Sequence, residues 1–124
     1  MPTASRYRAE KIVNPPLDAP ALEALDETIH QRARLGIMST LLALGEADFR
    51  LLKETLGLTD GNLSTHLALL EERGYVAVTK EFRGRKPHTS AQPTERGRAA
   101  FRDYLAALER IIKAAHLPAE DATD

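Results

Sequence analysis

At 124 residues the chain suits one domain, and its 43% hydrophobic and 28% charged residues place it among ordinary globules rather than disordered or fibrous chains. The absence of cysteine excludes disulfides, thiol catalysis and cysteine-held zinc, and no apolar run approaches the roughly 18 residues that cross a bilayer. A net charge of −1 argues on average against a polyanionic partner, but the mean hides a local imbalance. Between Thr79 and Arg98 stand Lys80, Arg83, Arg85, Lys86, Arg96 and Arg98, against only Glu81 and Glu95. A screened field acts over about 10 Å, so such a patch keeps its own sign.

Residues 1–19 read as a flexible arm, because Pro15, Pro16 and Pro20 bias their neighbours away from helix and no apolar period is visible. Met1 to Lys11 is polar and lacks the apolar segment of a secretory signal, so a cytoplasmic location is expected. Helical character begins near Ala19–Pro20. Leu22, Leu25 and Ile29 recur at helical spacing, and Leu35, Ile37, Met38, Leu41 and Leu42 continue the pattern after a break between His30 and Arg34. Gly45 closes this helix, and Asp48 is the N-cap of the next, whose inner face is Phe49, Leu52 and Leu56.

Gly57 stops that helix, and the polar stretch Leu58-Thr59-Asp60-Gly61 turns the chain into another, with Leu63, Leu67 and Leu70 as one stripe ending at Gly74. Two short helices joined so closely have helix-turn-helix spacing. After Gly74 the period changes from 3.6 to 2 over Tyr75-Val76-Ala77-Val78-Thr79, and Phe82 follows. Arg83-Gly84-Arg85-Lys86-Pro87 reads as a hairpin turn, and residues 88–92 as a weaker return strand. Thr94 then caps a long helix reaching about Ala115, with Phe101, Tyr104, Leu105, Leu108, Ile111 and Ile112 as its apolar stripe. Glu120, Asp121 and Asp124 mark an acidic tail over 117–124.

The expected fold is mainly α with a small β-hairpin wing (α+β). It is a winged helix-turn-helix over residues 20–116 with an added long C-terminal helix. Each part has a physical task on duplex DNA. The helix after the turn fits the major groove, where its residues reach base edges. With Leu63, Leu67 and Leu70 facing inward, the outward face carries Gly61, Thr65 and Ala68, flanked by Asn62, His66 and Leu69. Asn pairs bidentately with adenine, and Thr and His donate to bases or phosphates. Arg83, Arg85 and Lys86 at a hairpin tip suit a narrow minor groove or its phosphates. The candidate DNA contacts are therefore Thr59, Asp60, Gly61, Asn62, Ser64, Thr65, His66, Lys80, Arg83, Arg85 and Lys86. Asp60 serves equally as a base contact or as an N-cap.

From Leu25 to about Leu108 the chain resembles the winged-helix regulators related to the MarR and ArsR groups. The likeness rests on Leu58-Thr59-Asp60-Gly61-Asn62-Leu63-Ser64-Thr65-His66-Leu67, on Leu70-Glu71-Glu72-Arg73-Gly74-Tyr75-Val76, on the basic wing, and on the helix start Thr94-Glu95-Arg96-Gly97-Arg98. It implies a dimeric regulator of transcription, usually a repressor, whose third helix and wing contact the operator. Pro93 stands where such proteins carry an apolar strand residue, which leaves the length of the second wing strand open. The cysteine metal site of many ArsR members is missing, so metal sensing does not carry over.

His30, His66, His88 and His116 do not pair at ligand spacing on one helix face, so no metal and no cofactor is expected. No Ser or Thr is set beside a His and an acid as a nucleophile would be, which argues against an enzyme. The rival to a DNA-binding role is a winged-helix module for another protein, which Ala68 and Leu69 favour and the basic wing opposes. The stripe of the last helix either completes the monomer core or pairs with a second subunit. The second is the expectation, through Leu22, Leu25, Ile29, Phe101, Tyr104, Leu105, Leu108, Ile111 and Ile112. A homodimer would face an inverted-repeat operator, with room near its interface for a small-molecule effector. Arg6, Arg8 and Lys11 add a weaker basic arm.

Overall fold

The computed structural model describes residues 17–115, so the basic arm, the acidic tail and His116 lie outside the described residues. The first helix, α1 (Ala19–Glu23), starts where Asp18 accepts a hydrogen bond from the Ala21 N–H at 3.0 Å, with Pro20 in the first turn. It stops sooner than the Leu22-Leu25-Ile29 spacing predicts. Asp26 Oδ1 takes the N–H groups of Thr28 and Ile29 at 2.8 and 3.1 Å, and that local bonding holds a turn in place of a helix. Ile29 is fully buried within this turn.

Helix α2 (Arg32–Leu44) is capped by Gln31, buries Ile37, Met38 and Leu41, and ends at Gly45 with φ 85°. The chain then makes a two-residue strand, β1 (Ala47–Asp48), too short to carry a period in the sequence. Asp48 also caps α3 (Phe49–Leu56), accepting from the Leu51 N–H at 2.8 Å. Gly57 closes α3 in the left-handed region, and Thr59 opens α4 (Asp60–Glu72) by accepting from the Asn62 N–H at 3.1 Å. The N-cap is thus Thr59, and Asp60 is the first helical residue.

The hairpin is longer than the sequence indicates. Strands β2 (Val76–Arg83) and β3 (Lys86–Pro93) pair antiparallel along their full lengths, joined by Gly84 and Arg85 alone, and β1 adds to the other edge of β3. Two prolines inside β3 obscured it. They sit six residues apart, opposite Phe82 and Val76, so ladder alternation gives both the same kind of pair. At pairs that exchange no hydrogen bond, a missing N–H takes nothing from the ladder. The doubt over Pro93 is therefore resolved in favour of a full strand.

Thr94 caps the last helix, α5 (Glu95–Ala114), taking the Gly97 N–H at 2.9 Å while its hydroxyl donates to the Gly74 carbonyl at 2.6 Å. Gly97 is required here: a Cβ would run into the Tyr75 carbonyl, so only glycine lets α5 pack this close to the start of the wing. One core gathers Ile29, Met38, Leu41, Leu52, Leu63, Leu70, Val76 and Tyr104, among others. A fully buried side chain of this class contributes about 1.5–3 kcal/mol. Two polar ties close the shell. The Tyr75 hydroxyl donates to Asp26 Oδ2 at 2.5 Å, and Arg110 grips both oxygens of Asp18 at 3.0 and 3.1 Å, joining α1 to α5.

Candidate nucleic-acid interface

The three leucines at i, i+4 and i+7 turn one side of α4 into the core, with Leu63 and Leu70 at 0% and Leu67 at 4% exposure. The opposite side is left outside. Gly61, Asn62, Ser64, Thr65 and Ala68 are all exposed on it. These side chains are short and uncharged, so the helix can approach a surface closely and still offer hydrogen bonds along its length.

Two expected contacts on α4 are already engaged within the chain. Asp60 pairs with Lys53 of α3 at 2.9 Å, which offsets a negative charge at the start of the helix. His66 is half-buried, with Nδ1 3.1 Å from Arg34 Nη1. A guanidinium only donates, so Nδ1 is the acceptor and the proton sits on Nε2. Burial first, and the Arg34 charge second, hold this imidazole below its ordinary value and keep it neutral. Arg34 is itself anchored, since its Nε donates to the Thr28 carbonyl at 2.6 Å. Sequence reasoning missed Arg34, which stands 32 residues from His66 on another helix.

Along the wing, residues 79–87 are exposed throughout, with Lys80, Arg83, Arg85 and Lys86 against the single acid Glu81. Strand alternation divides them between two faces. Lys80 and Phe82, with their cross-strand partners Thr89 and Pro87, continue the face begun by Val76 and Val78. That face turns toward α4, since Val78, Lys80 and Thr89 line an open groove with Ser64, Ala68 and Glu71. Arg83 and Lys86 lie on the other face, where Glu81 is 3.7 Å from Arg83 and 3.9 Å from His88. His88 also stands 3.5 Å from Asp48. The Leu51 N–H, and then His88, hold the Asp48 carboxyl below the usual carboxylate range. Four expected wing contacts thus separate into Lys80 beside α4, Arg85 in the turn, and Arg83 and Lys86 behind.

A helix-turn-helix with its second helix bare outward, flanked by a cationic hairpin, is matched along residues 33–112 by the family model for a winged helix DNA-binding domain. The chain belongs to the winged helix DNA-binding domain family. This winged helix chain is 39% identical over 80 residues to an uncharacterized protein of Methanocaldococcus jannaschii, covering 64% of the chain and 87% of that protein. It is 34% identical to a transcriptional regulator homologue of Pyrococcus horikoshii, whose structure superposes with a TM-score of 0.68 over 74% of this chain and 91% of the other. A MarR-like transcription regulator of Bacillus cereus shares the fold at 15% identity, with a TM-score of 0.59 over 97% of this chain and 88% of that one. The expected likeness to MarR-type regulators is found at the level of the fold, and by family the chain carries a winged helix DNA-binding domain.

The residues expected to pair two subunits fall into three groups. Leu22, Leu105 and Ile112 are exposed, and Leu25, Leu108 and Ile111 are half-buried. Ile29, Phe101 and Tyr104 are buried in the chain's own core, with His30 Nδ1 2.7 Å from the Tyr104 hydroxyl. A side chain spent on the core has no surface for a partner, so the last three are corrected to core residues. Among the described residues no group of three His, Cys, Asp or Glu could hold a metal ion, and no helix is long and apolar enough to cross a membrane.

Proposed function

We propose that the chain is a homodimeric, sequence-specific regulator of transcription, a repressor, that binds an inverted-repeat operator with α4 of each protomer in the major groove and the wing on the adjacent minor groove. The observation that carries this reading is the outward face of α4, where Asn62, Ser64 and Thr65 stand exposed, with Ser64 on the flank that shares a groove with Lys80 of the wing. Asn62 supplies a donor and an acceptor in one plane, the pair that an adenine edge accepts in the major groove, and the Thr65 methyl suits a thymine methyl. Lys80 and Arg85 neutralise phosphates and release condensed counterions, which makes affinity fall steeply with salt.

What α5 leaves uncovered supports the dimer. Leu105 and Ile112 remain exposed at 48% and 44%, and Leu22 of α1 adds to the same stock of apolar surface. A second copy related by a two-fold axis buries these residues without a new surface having to be made. It also spaces the two α4 helices for half-sites about 34 Å apart.

Fluorescence anisotropy tests the reading with two labelled duplexes of equal length, the DNA upstream of the chain's own gene and an unrelated sequence, each at several salt concentrations. Tight binding to the first with weaker, salt-steep binding to the second is the expected result. Salt-steep binding to both alike would remove the autoregulatory operator but keep the DNA partner. Binding to neither at low salt would overturn the proposal.

A further inference from the structure

Phe82 is the most exposed large hydrophobic side chain among the described residues, at 73%. A lone surface phenylalanine needs no explanation, but the placement of this one does. Its cross-strand partner is Pro87, so two apolar side chains meet across the hairpin one pair before the Gly84-Arg85 turn. The face they occupy continues Val76, Val78 and Lys80, which is the side turned toward α4. The ladder runs unbroken to the Arg83–Lys86 pair, so the tip is held as a rigid ribbon rather than a loose loop. Nothing in the core lies beneath it: residues 79–87 are all exposed, whereas Val76 at the base of the same face is buried.

The surroundings specify the occupant. Lys80 flanks Phe82 on its own face, Arg85 sits at the turn, and Arg83 and Lys86 stand just behind. An apolar pair with Lys80 beside it and Arg85 at the turn, the neighbouring acid Glu81 lying on the rear face against Arg83, suits a polyanion that also presents apolar surface between its charges. A DNA minor groove does this, with sugar rings and base edges lying between two phosphate rails.

We propose that Phe82, backed by Pro87, is an apolar wedge that the wing carries into the minor groove of the same duplex that α4 reads. The inference rests on the DNA-binding reading above and assigns a new contact to it. Phe82 packs on sugars and base edges while Lys80 and Arg85 hold the neighbouring phosphates. The contact supplies affinity that does not depend on salt. By widening the groove or partly unstacking a step, it favours flexible pyrimidine–purine steps at positions that α4 never touches.

The chain has no tryptophan, so Phe82→Trp in the whole 124-residue chain installs a single tryptophan at the wedge, excited apart from the three tyrosines. Acrylamide quenching of its emission is measured for the free protein, over a range of protein concentrations, and at saturation with a duplex that the wild type binds by anisotropy. Quenching is expected to fall severalfold on the duplex and to be independent of protein concentration without it. Phe82→Ala is expected to weaken binding about tenfold with the salt slope unchanged, whereas Arg85→Ala lowers the slope by about one unit. The wedge is overturned if the fluorophore stays as accessible on bound DNA as in free protein, or if Phe82→Ala binds like the wild type. Protection that appears with rising protein concentration alone overturns it in favour of a second copy of the chain. A wild type that binds no duplex removes the DNA reading first, in an arm that contains no variant.

Discussion

Helices α4 and α5 dock on the same core, α4 through a stripe of leucines and α5 through Phe101, Tyr104 and Ala107, and their outer surfaces part company. The stripe of α4 is entirely inside, and what remains outside over its first two turns is short and mostly polar, with Asn62, Ser64 and Thr65 exposed, while Glu71 and Glu72 stand exposed at its C-terminal end. The stripe of α5 is only half used, since Phe101 and Tyr104 are buried while Leu105 and Ile112 face outward. What a helix leaves uncovered shows the chemistry of the partner that it awaits. A polar remainder suits base edges and phosphates, and an apolar remainder suits another apolar protein surface.

The largest effect that sharpens this contrast is on stability. Leu63→Ala should lower the unfolding free energy by about 2–5 kcal/mol in a denaturant titration, because the lost side chain leaves a cavity in the core. Ile112→Ala, on the half-used stripe, should change the stability of the monomer by less than about 1 kcal/mol. Equal losses at both sites would show that α5 is as fully committed to the core as α4.

Placing charge on the uncovered stripe should break the second half of the contrast. Leu105→Glu with Ile112→Glu should yield a folded monomer in sedimentation velocity, with affinity for a two-site duplex reduced about a hundredfold through loss of bivalency. A variant that remains dimeric would place the subunit contact elsewhere. On the polar side the expected effect is smaller and selective. Asn62→Ala should cost about 1–3 kcal/mol on the preferred duplex and little on an unrelated one, as read by anisotropy.

Much of this contrast is legible in the sequence, because it follows from periodicity and caps. Leu63, Leu67 and Leu70 fix the inward side of α4, and the end of α3 at Gly57 and the stop at Gly74 bracket it, so the outward residues follow by geometry. Contacts between residues distant in the chain were not legible. Nothing local reveals that Arg34 will hold His66, that Lys53 will neutralise Asp60, or that Ile29, Phe101 and Tyr104 will meet in one core. Short and interrupted strands were hidden as well. β1 has only two residues, and the prolines that mask β3 become tolerable only once the ladder register is known. The outward direction of Phe82 was hidden for a related reason: its period matches that of Val76 and Val78, and only the extent of the core shows where burial stops.

The smallest expected effect concerns pH. Burial and Arg34 hold His66 below its ordinary value, so as pH falls the unfolded chain takes up this proton before the folded chain does. The resulting stabilisation is fully present above about pH 6.5 and is lost as pH falls from there toward the folded value. In melting experiments at about pH 7.5 and about pH 5.5, His66→Gln should show a smaller drop in Tm than the wild type. An unchanged drop would assign the pH dependence to other groups.

The division of labour between the two helices is tested most directly by a hydroxyl-radical footprint on the duplex that binds most tightly. The account predicts two protected half-sites related by a two-fold axis, with centres one helical turn apart, as expected when α5 joins two copies and each copy presents one α4. A single unsymmetrical protected patch would contradict it.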